Sequence, residues 1–348
     1  MNIKSLLIGS AAALMAVSGA QAADAIVAAE PEPMEYVRVC DAFGTGFFYI
    51  PGTETCLKIG GFVRFQTGFG SDDDTIGVGS SQKYLQSKGP SDWDSFTLVD
   101  VNFDARNDTE LGTLRSYINF EGQAGGSADS NAFYIDEAFI ELAGFKVGYF
   151  YSWWDSGING EVDTLGGAST QFNSIAYTYD GGTWRAGISL DELDKDLTDG
   201  AHHDLGVAGT VGFSLGGVNL DILGGYDGWN EEGAIRAILS ADLGPGTFQL
   251  AGIWASDYNI YWDKSEWTVA ASYAFKATEK LTITPAAQYF GDVGFDSDVD
   301  QWRVGLTVGY EIVSGLNFLG TVDYNKVNIS GADDQDFTRG FLRLQRNF

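Results

Sequence analysis

The residues of this sequence that can do chemistry are mostly charged, and they fall into two sets. The stretch YSWWDSGINGEVDTLGGAST (residues 151–170) carries Asp155, Glu161 and Asp163. Its glycines at 157, 160, 166 and 167 permit sharp bends, and Trp153 and Trp154 can anchor its start. The second set, Arg64, Arg106, Arg115, Arg339 and Arg343, lies on the polar parity of segments whose hydrophobicity repeats every two residues. Carboxylates on a bent segment, facing guanidinium groups on a rigid wall, make an electrostatic filter across an aqueous passage. Arg64 and Arg343 are the better candidates for that wall, because Arg106 and Arg115 lie close to a tight turn. An equally open alternative is that 151–170 is an ordinary solvated surface loop. The rival chemistries are weak. GFSLG (residues 212–216) matches G-x-S-x-G but runs from a strand pattern into a tight turn, not into a helix, so it lacks the setting of a nucleophile elbow. His202 and His203 are adjacent in an acidic stretch, where solvation is the expected state. No catalytic residue, no enzyme and no metal centre is expected.

Positioning such a filter needs a scaffold, and the termini indicate its compartment. MNIKSLLIGSAAALMAVSGAQA (residues 1–22) has one Lys, a short apolar run and small residues before Ala22, which predicts a cleavable secretory leader. Beyond it no apolar run is long enough for a membrane-spanning helix. The formal net charge of −28 over 348 residues excludes nucleic acid as a partner. Cys40 and Cys56, the only two cysteines of an exported chain, are expected to form a disulfide, worth about 3 kcal/mol in the chain-entropy model.

From Cys56 onward the two-residue period recurs. LKIGGFVRFQTGF sets Leu57, Ile59, Val63 and Phe65 against Lys58, Arg64 and Gln66; FTLVDVNFDAR sets Val99, Val101 and Phe103 against Asp100, Asn102 and Asp104. The last residues, FTRGFLRLQRNF, set Leu342, Leu344 and Phe348 against Arg343, Gln345 and Asn347. Sixteen such segments are counted. The connections alternate between tight turns (RNDTE, LAGF, DGGT, LGGV, LGPGT, KATEK, VSG) and longer polar stretches. Sorted connections, an even strand count and aromatics at the ends of the apolar faces (Phe65, Tyr177, Trp184, Trp254, Trp267, Tyr310) predict an all-β, sixteen-stranded antiparallel transmembrane β-barrel. Its expected domains are a leader (1–22), an N-terminal periplasmic-side segment with the disulfide loop (23–55) and the barrel (56–348). A terminal strand on Phe348 must pair with the first to close the ring. The acidic runs Asp72–Asp74, Asp296–Asp300 and Asp333–Asp336 lack EF-hand spacing. They are expected to be solvated, with Ca²⁺ or Mg²⁺ bridging to lipopolysaccharide phosphates as the alternative; no other cofactor is expected.

The sequence resembles the general porins of alphaproteobacteria, of the rhizobial and brucella type. The likeness spans the whole mature chain and is most specific in VRVCDAFGTGFFYIPGTETCLKIGGFVRF, FYIDEAFIELAGFKVGYFYSWWD and the LQRNF end. It implies a homotrimer and a third loop folded inside as a constriction (about 152–170). The implied eyelet acids are Asp155, Glu161 and Asp163, and the implied facing bases Arg64, Arg115 and Arg343, with Arg106 nearby. It also implies recognition of Phe348 by the barrel-assembly machinery, and an outer-membrane setting among lipid and lipopolysaccharide. The expected function is a passive, weakly cation-selective channel for ions and small hydrophilic solutes. The rivals are a sugar-specific channel, for which only Phe62, Phe150 and Phe290 offer inward aromatics, and more remotely an adhesin.

Overall fold

A strand with one apolar and one polar face has to turn the first toward lipid or core and the second toward water. The computed structural model describes residues 38–70, 93–126, 131–194, 200 and 202–348. The leader and Asp72–Asp74 lie outside the described residues. A two-residue strand, β1 (Phe48–Tyr49), precedes β2 (Cys56–Gly70), β3 (Trp93–Thr109), β4 (Gly112–Ala124), β5 (Ala132–Leu142) and β6 (Phe145–Tyr151). Then follow β7 (Gln171–Asp180), β8 (Trp184–Leu193), β9 (Asp204–Ser214), β10 (Val218–Asp227), β11 (Glu232–Leu243) and β12 (Gly246–Ala255). The chain ends with β13 (Ser265–Lys276), β14 (Leu281–Val293), β15 (Val299–Val313), β16 (Leu316–Ile329) and β17 (Gln335–Asn347). Strands β2 to β17 pair antiparallel with their sequence neighbours, and β17 pairs back to β2, so sixteen strands form a closed ring. No edge is left unpaired in the ring, as a lipid-embedded sheet requires.

The seam between β17 and β2 sets Gln345 opposite Arg64 and Arg343 opposite Gln66. It ends with Phe348, whose N–H donates to Gly61 O at 3.0 Å and whose carbonyl accepts from Gly61 N–H at 3.3 Å. Gly61 is required there, since a Cβ would lie 2.1 Å from Asp100 O and 3.2 Å from Phe348 Cζ. Below that point β17 no longer covers β2, and β1 takes its place, pairing Phe48 with Leu57 and Tyr49 with Cys56. The Cys40–Cys56 disulfide, with Cα atoms 5.9 Å apart, ties this N-terminal piece to the foot of β2, and Phe47 packs beneath the Arg106 guanidinium at 5.1 Å.

Tight turns join alternate strands at one end of the barrel, from Thr109–Gly112 to Val313–Leu316. The opposite end holds the longer connections, which shorten after β10: only residues 228–231 join β10 to β11. Outward side chains such as Phe65, Ile140, Ile175, Trp254 and Leu342 are exposed as a lipid-facing band. The buried apolar core lies inside the ring, not between layers. It is built by Trp154, Ile158 and Leu165 of the β6–β7 connection and by Ile260, Tyr261 and Trp262 of the β12–β13 connection, packed on the wall residues Leu223, Ile238, Ala251 and Ile253.

Candidate pore constriction

Strand β6 stops after seven residues, and the chain turns inward. The Ser152 hydroxyl accepts from Trp154 N–H at 3.2 Å and opens a single 3-10 turn, Trp153–Asp155. From there residues 152–170 cross the lumen. Asn159 N–H donates to Gln249 Oε1 on β12 at 2.6 Å, Glu161 N–H to Thr307 Oγ1 on β15 at 3.0 Å, and Thr164 N–H to Gln288 Oε1 on β14 at 2.8 Å. Gly160, with φ +100°, brings the backbone so close that a Cβ would stand 3.2 Å from Thr284 Cγ2 and 3.3 Å from Thr307 Oγ1.

Two arginines hold the crossing in place. Arg236 on β11, 1% exposed, donates through Nη1 to the carbonyls of Trp154 (3.0 Å) and Leu165 (2.6 Å). Through Nη2 it donates to Trp153 O (2.7 Å) and Ser156 Oγ (2.9 Å). Arg303 on β15, also 1% exposed, donates to Val162 O at 2.7 Å and Thr164 Oγ1 at 3.0 Å, with its Nε on Asn325 Oδ1 at 2.6 Å. Arg236 therefore gathers the two ends of the loop, and Arg303 its middle.

The connection between β12 and β13, residues 256–264, also folds in. Tyr261 Oη donates to the fully buried Asp191 at 2.6 Å, and Ile260 N–H donates to Asp227 Oδ2 at 2.9 Å. Burial and the Asp191 charge push the Tyr261 phenol far above its usual range. Gly167 meets this connection so closely that a Cβ would lie 2.4 Å from Ile260 O. Among the described residues, two connections thus narrow the barrel.

The acidic and basic residues singled out from the sequence separate into distinct places. Glu161 Oε1 lies 3.0 Å from Arg343 Nη1. Arg343 Nε donates to Gln66 Oε1 at 2.8 Å, and across the seam Arg64 Nε donates to Gln345 Oε1 at 2.7 Å. Each guanidinium also lies 4.6 Å from the ring two residues before it, Phe62 for Arg64 and Phe341 for Arg343. Arg343 and Glu161 are among the charges Arg64 feels most, so these three groups form one cluster. Asp163 stands behind them: its Oδ2 accepts from Ile158 N–H at 3.3 Å, and burial pushes the carboxyl up to about 6. Asp155 sits at the loop's root, accepting from Thr170 Oγ1 at 2.9 Å. Arg106 and Arg115 are away from the cluster, near the β3–β4 turn, where both bind Asp104 at 2.7 and 3.0 Å.

Arg236, Arg303 and the 256–264 connection were not among the sequence candidates. Trp154, Ile158, Val162 and Leu165, all buried, were the available signal: apolar residues at regular short spacing do not suit a solvated loop. The other singled-out groups have plain partners. His203 Nδ1 lies 3.0 Å from Glu192 Oε1 at an exposed corner, Asp334 pairs with Lys326 at 2.9 Å, and Asp298 N–H donates to Asp296 Oδ1 at 3.0 Å.

A closed barrel with a loop clamped across its lumen narrows the possible families, and residues 24–341 match the family described as the porin subfamily. The chain belongs to that porin subfamily. This porin is 56% identical over 350 residues to the putative outer membrane protein y4fJ of Sinorhizobium fredii, spanning 100% of this chain and 99% of that one. It is 34% identical over 388 residues to the porin Omp2b of Brucella canis, with 100% of both chains covered. Its fold is similar to that of the outer membrane channel DcaP of Acinetobacter baumannii, with a TM-score of 0.68 at 14% identity, over 86% of this chain and 99% of that one. The porin is thus an outer-membrane, multi-pass β-barrel, and its lumen is a channel for small solutes. In that setting the tight turns face the periplasm and the longer connections the exterior.

Proposed function

We propose that ions and small hydrophilic solutes cross this porin by passive diffusion, through the gap between loop 152–170 and the wall formed by β2 to β5 and β17. Nothing is hydrolysed; the filter is a size limit with a transverse field. Glu161 meets Arg343 where the loop closes against β17, with Arg64 beside them on the wall, and that 3.0 Å contact, which fixes one edge of the gap and sets its opposed charges side by side, is the observation that carries the reading. Asp163 and Asp155 add negative charge on the loop side, and Arg115 and Arg106 act below the eyelet.

The preference is weakly for cations. On the wall across from the loop, Asp100 and Asp136 are held mainly by neutral donors: Asn119 Nδ2 donates to both, at 2.8 and 3.0 Å, and Tyr151 Oη to Asp136 at 2.8 Å. Glu121 accepts from Tyr134 Oη at 2.5 Å. Neutral donors orient a carboxylate without cancelling its charge, so the lumen keeps a net negative potential. The functional unit is read as a homotrimer, embedded in outer-membrane lipid and lipopolysaccharide and assembled through Phe348. No catalytic residue, metal or cofactor enters this reading, apart from Ca²⁺ or Mg²⁺ bridging acidic loops to lipopolysaccharide.

The test is single-channel recording in a planar bilayer under a KCl gradient. Current steps in threes with a reversal potential on the cation side are expected. A reversal potential on the anion side would overturn the cation preference, and folded protein that gives no steps would overturn diffusion itself.

A further inference from the structure

We propose that the lumen wall on the periplasmic side of loop 152–170 carries a binding subsite for small zwitterionic solutes, free amino acids with an apolar side chain, built around Lys146. The inference rests on the channel reading above and goes beyond it, because a diffusion pore needs no such site.

Lys146 projects into the lumen from β6, with its ammonium 3.9 Å from the centroid of Phe139 and 4.1 Å from that of Phe150. Two aromatic faces hold a cation without satisfying its N–H donors. Neighbouring lumen cations are answered by acids, Arg115 by Asp104 and Glu141 and Arg106 by Asp104, as are Arg339 by Asp323 and Arg343 by Glu161. Among the described residues Lys146 has no carboxylate within ion-pair distance. Glu137 and Glu141 act on it only as neighbouring charges.

This ammonium borders a cavity of about 270 Å³, also lined by Glu141, Phe150, Trp153, Asp180 and Ser189. Ser152 and Trp153 close it on the side of the loop's root, so a solute leaving the constriction meets it next. The lining assigns each part of an amino acid a counterpart. Lys146 takes the carboxylate, Asp180 or the Glu141 oxygen not paired with Arg115 the ammonium, and the Phe150 and Trp153 rings the apolar side chain. The competing classes fit less well. A simple cation would have to sit beside the Lys146 charge, and a simple anion beside two carboxylates. A neutral sugar could stack on the Trp153 ring but would leave the charges of Lys146 and Asp180 without a counter-charge. A zwitterion meets both charges at once.

The experiment is solute block of the open-channel K⁺ current in planar bilayers, normalised to each variant's own unblocked current. The probes are L-phenylalanine, 2-phenylethylamine, which lacks the carboxylate, and glucose. Phenylalanine should block saturably, with a half-blocking concentration on the order of 1 to 10 mM, and the other two should not saturate in that range. Lys146→Met should raise the half-blocking concentration about tenfold or more, while Lys146→Arg, which keeps the charge, should stay within about threefold. Heat-modifiable migration on a gel certifies that each variant is folded. A linear, non-saturating effect of phenylalanine on wild type would overturn the proposal, as would equal block by the amine or by glucose, or an unchanged half-block in Lys146→Met. The unblocked current, recorded before solute is added, tests the diffusion reading by itself.

Discussion

Replacing Arg236 with Met should release the constriction loop without unfolding the barrel. The side chain makes four hydrogen bonds, three of them to the main-chain carbonyls of Trp153, Trp154 and Leu165. Each hydrogen bond from a charged donor contributes about 1.5–3 kcal/mol net. Against that stands the desolvation of a guanidinium, several kcal/mol, which the substitution relieves. Lumen water can re-solvate some of the freed carbonyls. The working figure for lost seating energy is then about 2–3 kcal/mol, between those two effects. At about 1.4 kcal/mol per factor of ten, the ratio of seated to released loop falls roughly 30- to 140-fold. The strand ladders do not involve this side chain, so the heat-modifiable gel band should persist. Single-channel recording should then show a larger mean conductance with rapid flicker between levels, and liposome swelling should admit larger sugars. A folded Arg236→Met channel with wild-type conductance, wild-type noise and an unchanged size limit would refute the clamp.

Other expectations follow from the same contacts. Glu161→Gln removes the carboxylate facing Arg343, so the cation-to-anion permeability ratio should fall about two- to fivefold, read as a shift of reversal potential; no shift would place the filter elsewhere. Asp163 is pushed up to about 6 from the ordinary 3.8, which means the seated loop binds this proton more tightly than a free carboxyl does. The stability this gives is complete below the ordinary value and is lost as pH rises through about 6. Cation preference should therefore drop between pH 7 and pH 5, and Asp163→Asn should show the low-pH selectivity throughout; a midpoint near 4 would contradict the burial. Reducing the Cys40–Cys56 bond, or replacing both residues with Ser, should cost the short N-terminal loop about 3 kcal/mol. Proteolysis between residues 41 and 55 should accelerate roughly a hundredfold, with the barrel band unchanged on a gel.

Much of the scaffold was legible because a barrel strand repeats the same local demand. Leu57, Ile59, Val63 and Phe65 alternate with Lys58, Arg64 and Gln66 under the lipid–water boundary itself, and the two-residue period follows directly. Six of the seven tight turns were legible for a similar local reason, since Gly, Asn and Asp answer backbone conformations; KATEK, which has none of the three, was legible only from its place between two strand patterns. What escaped was non-local. Arg236 and Arg303 read as ordinary polar-parity residues, and neither residue by its own type says that a loop lies over it. The clue was in the neighbours: Ala234 and Ile238 flank Arg236 on the inward face and are buried, an apolar patch where water was expected. The sequence of the β12–β13 connection, SDYNIYWDK, is likewise too aromatic for a solvated loop. An apolar inward wall and an apolar connection each look anomalous alone and become consistent only when packed together.

The same clamp bears on charge as well as shape. Arg236 and Arg303 sit behind the loop and give their hydrogen bonds to loop carbonyls, with the Asp323 carboxylate 3.5 Å from Arg303. Asp163 lies within the field of both, and Asp155 within that of Arg236. Positive charge behind the loop favours ionised carboxylates on it, and low local dielectric makes that influence longer-ranged than in water. Had the loop been seated by acids on the wall, its own carboxylates would have been repelled and held neutral. A clamp built from guanidinium groups seats the loop while leaving it free to present Glu161 to the passage. It follows that Arg236→Met and Arg303→Met should each move the Asp163-dependent drop in cation preference to higher pH, even in those current levels where the loop is still seated. Simple loosening would leave the selectivity of the seated level unchanged, so measuring the reversal potential level by level separates the two effects.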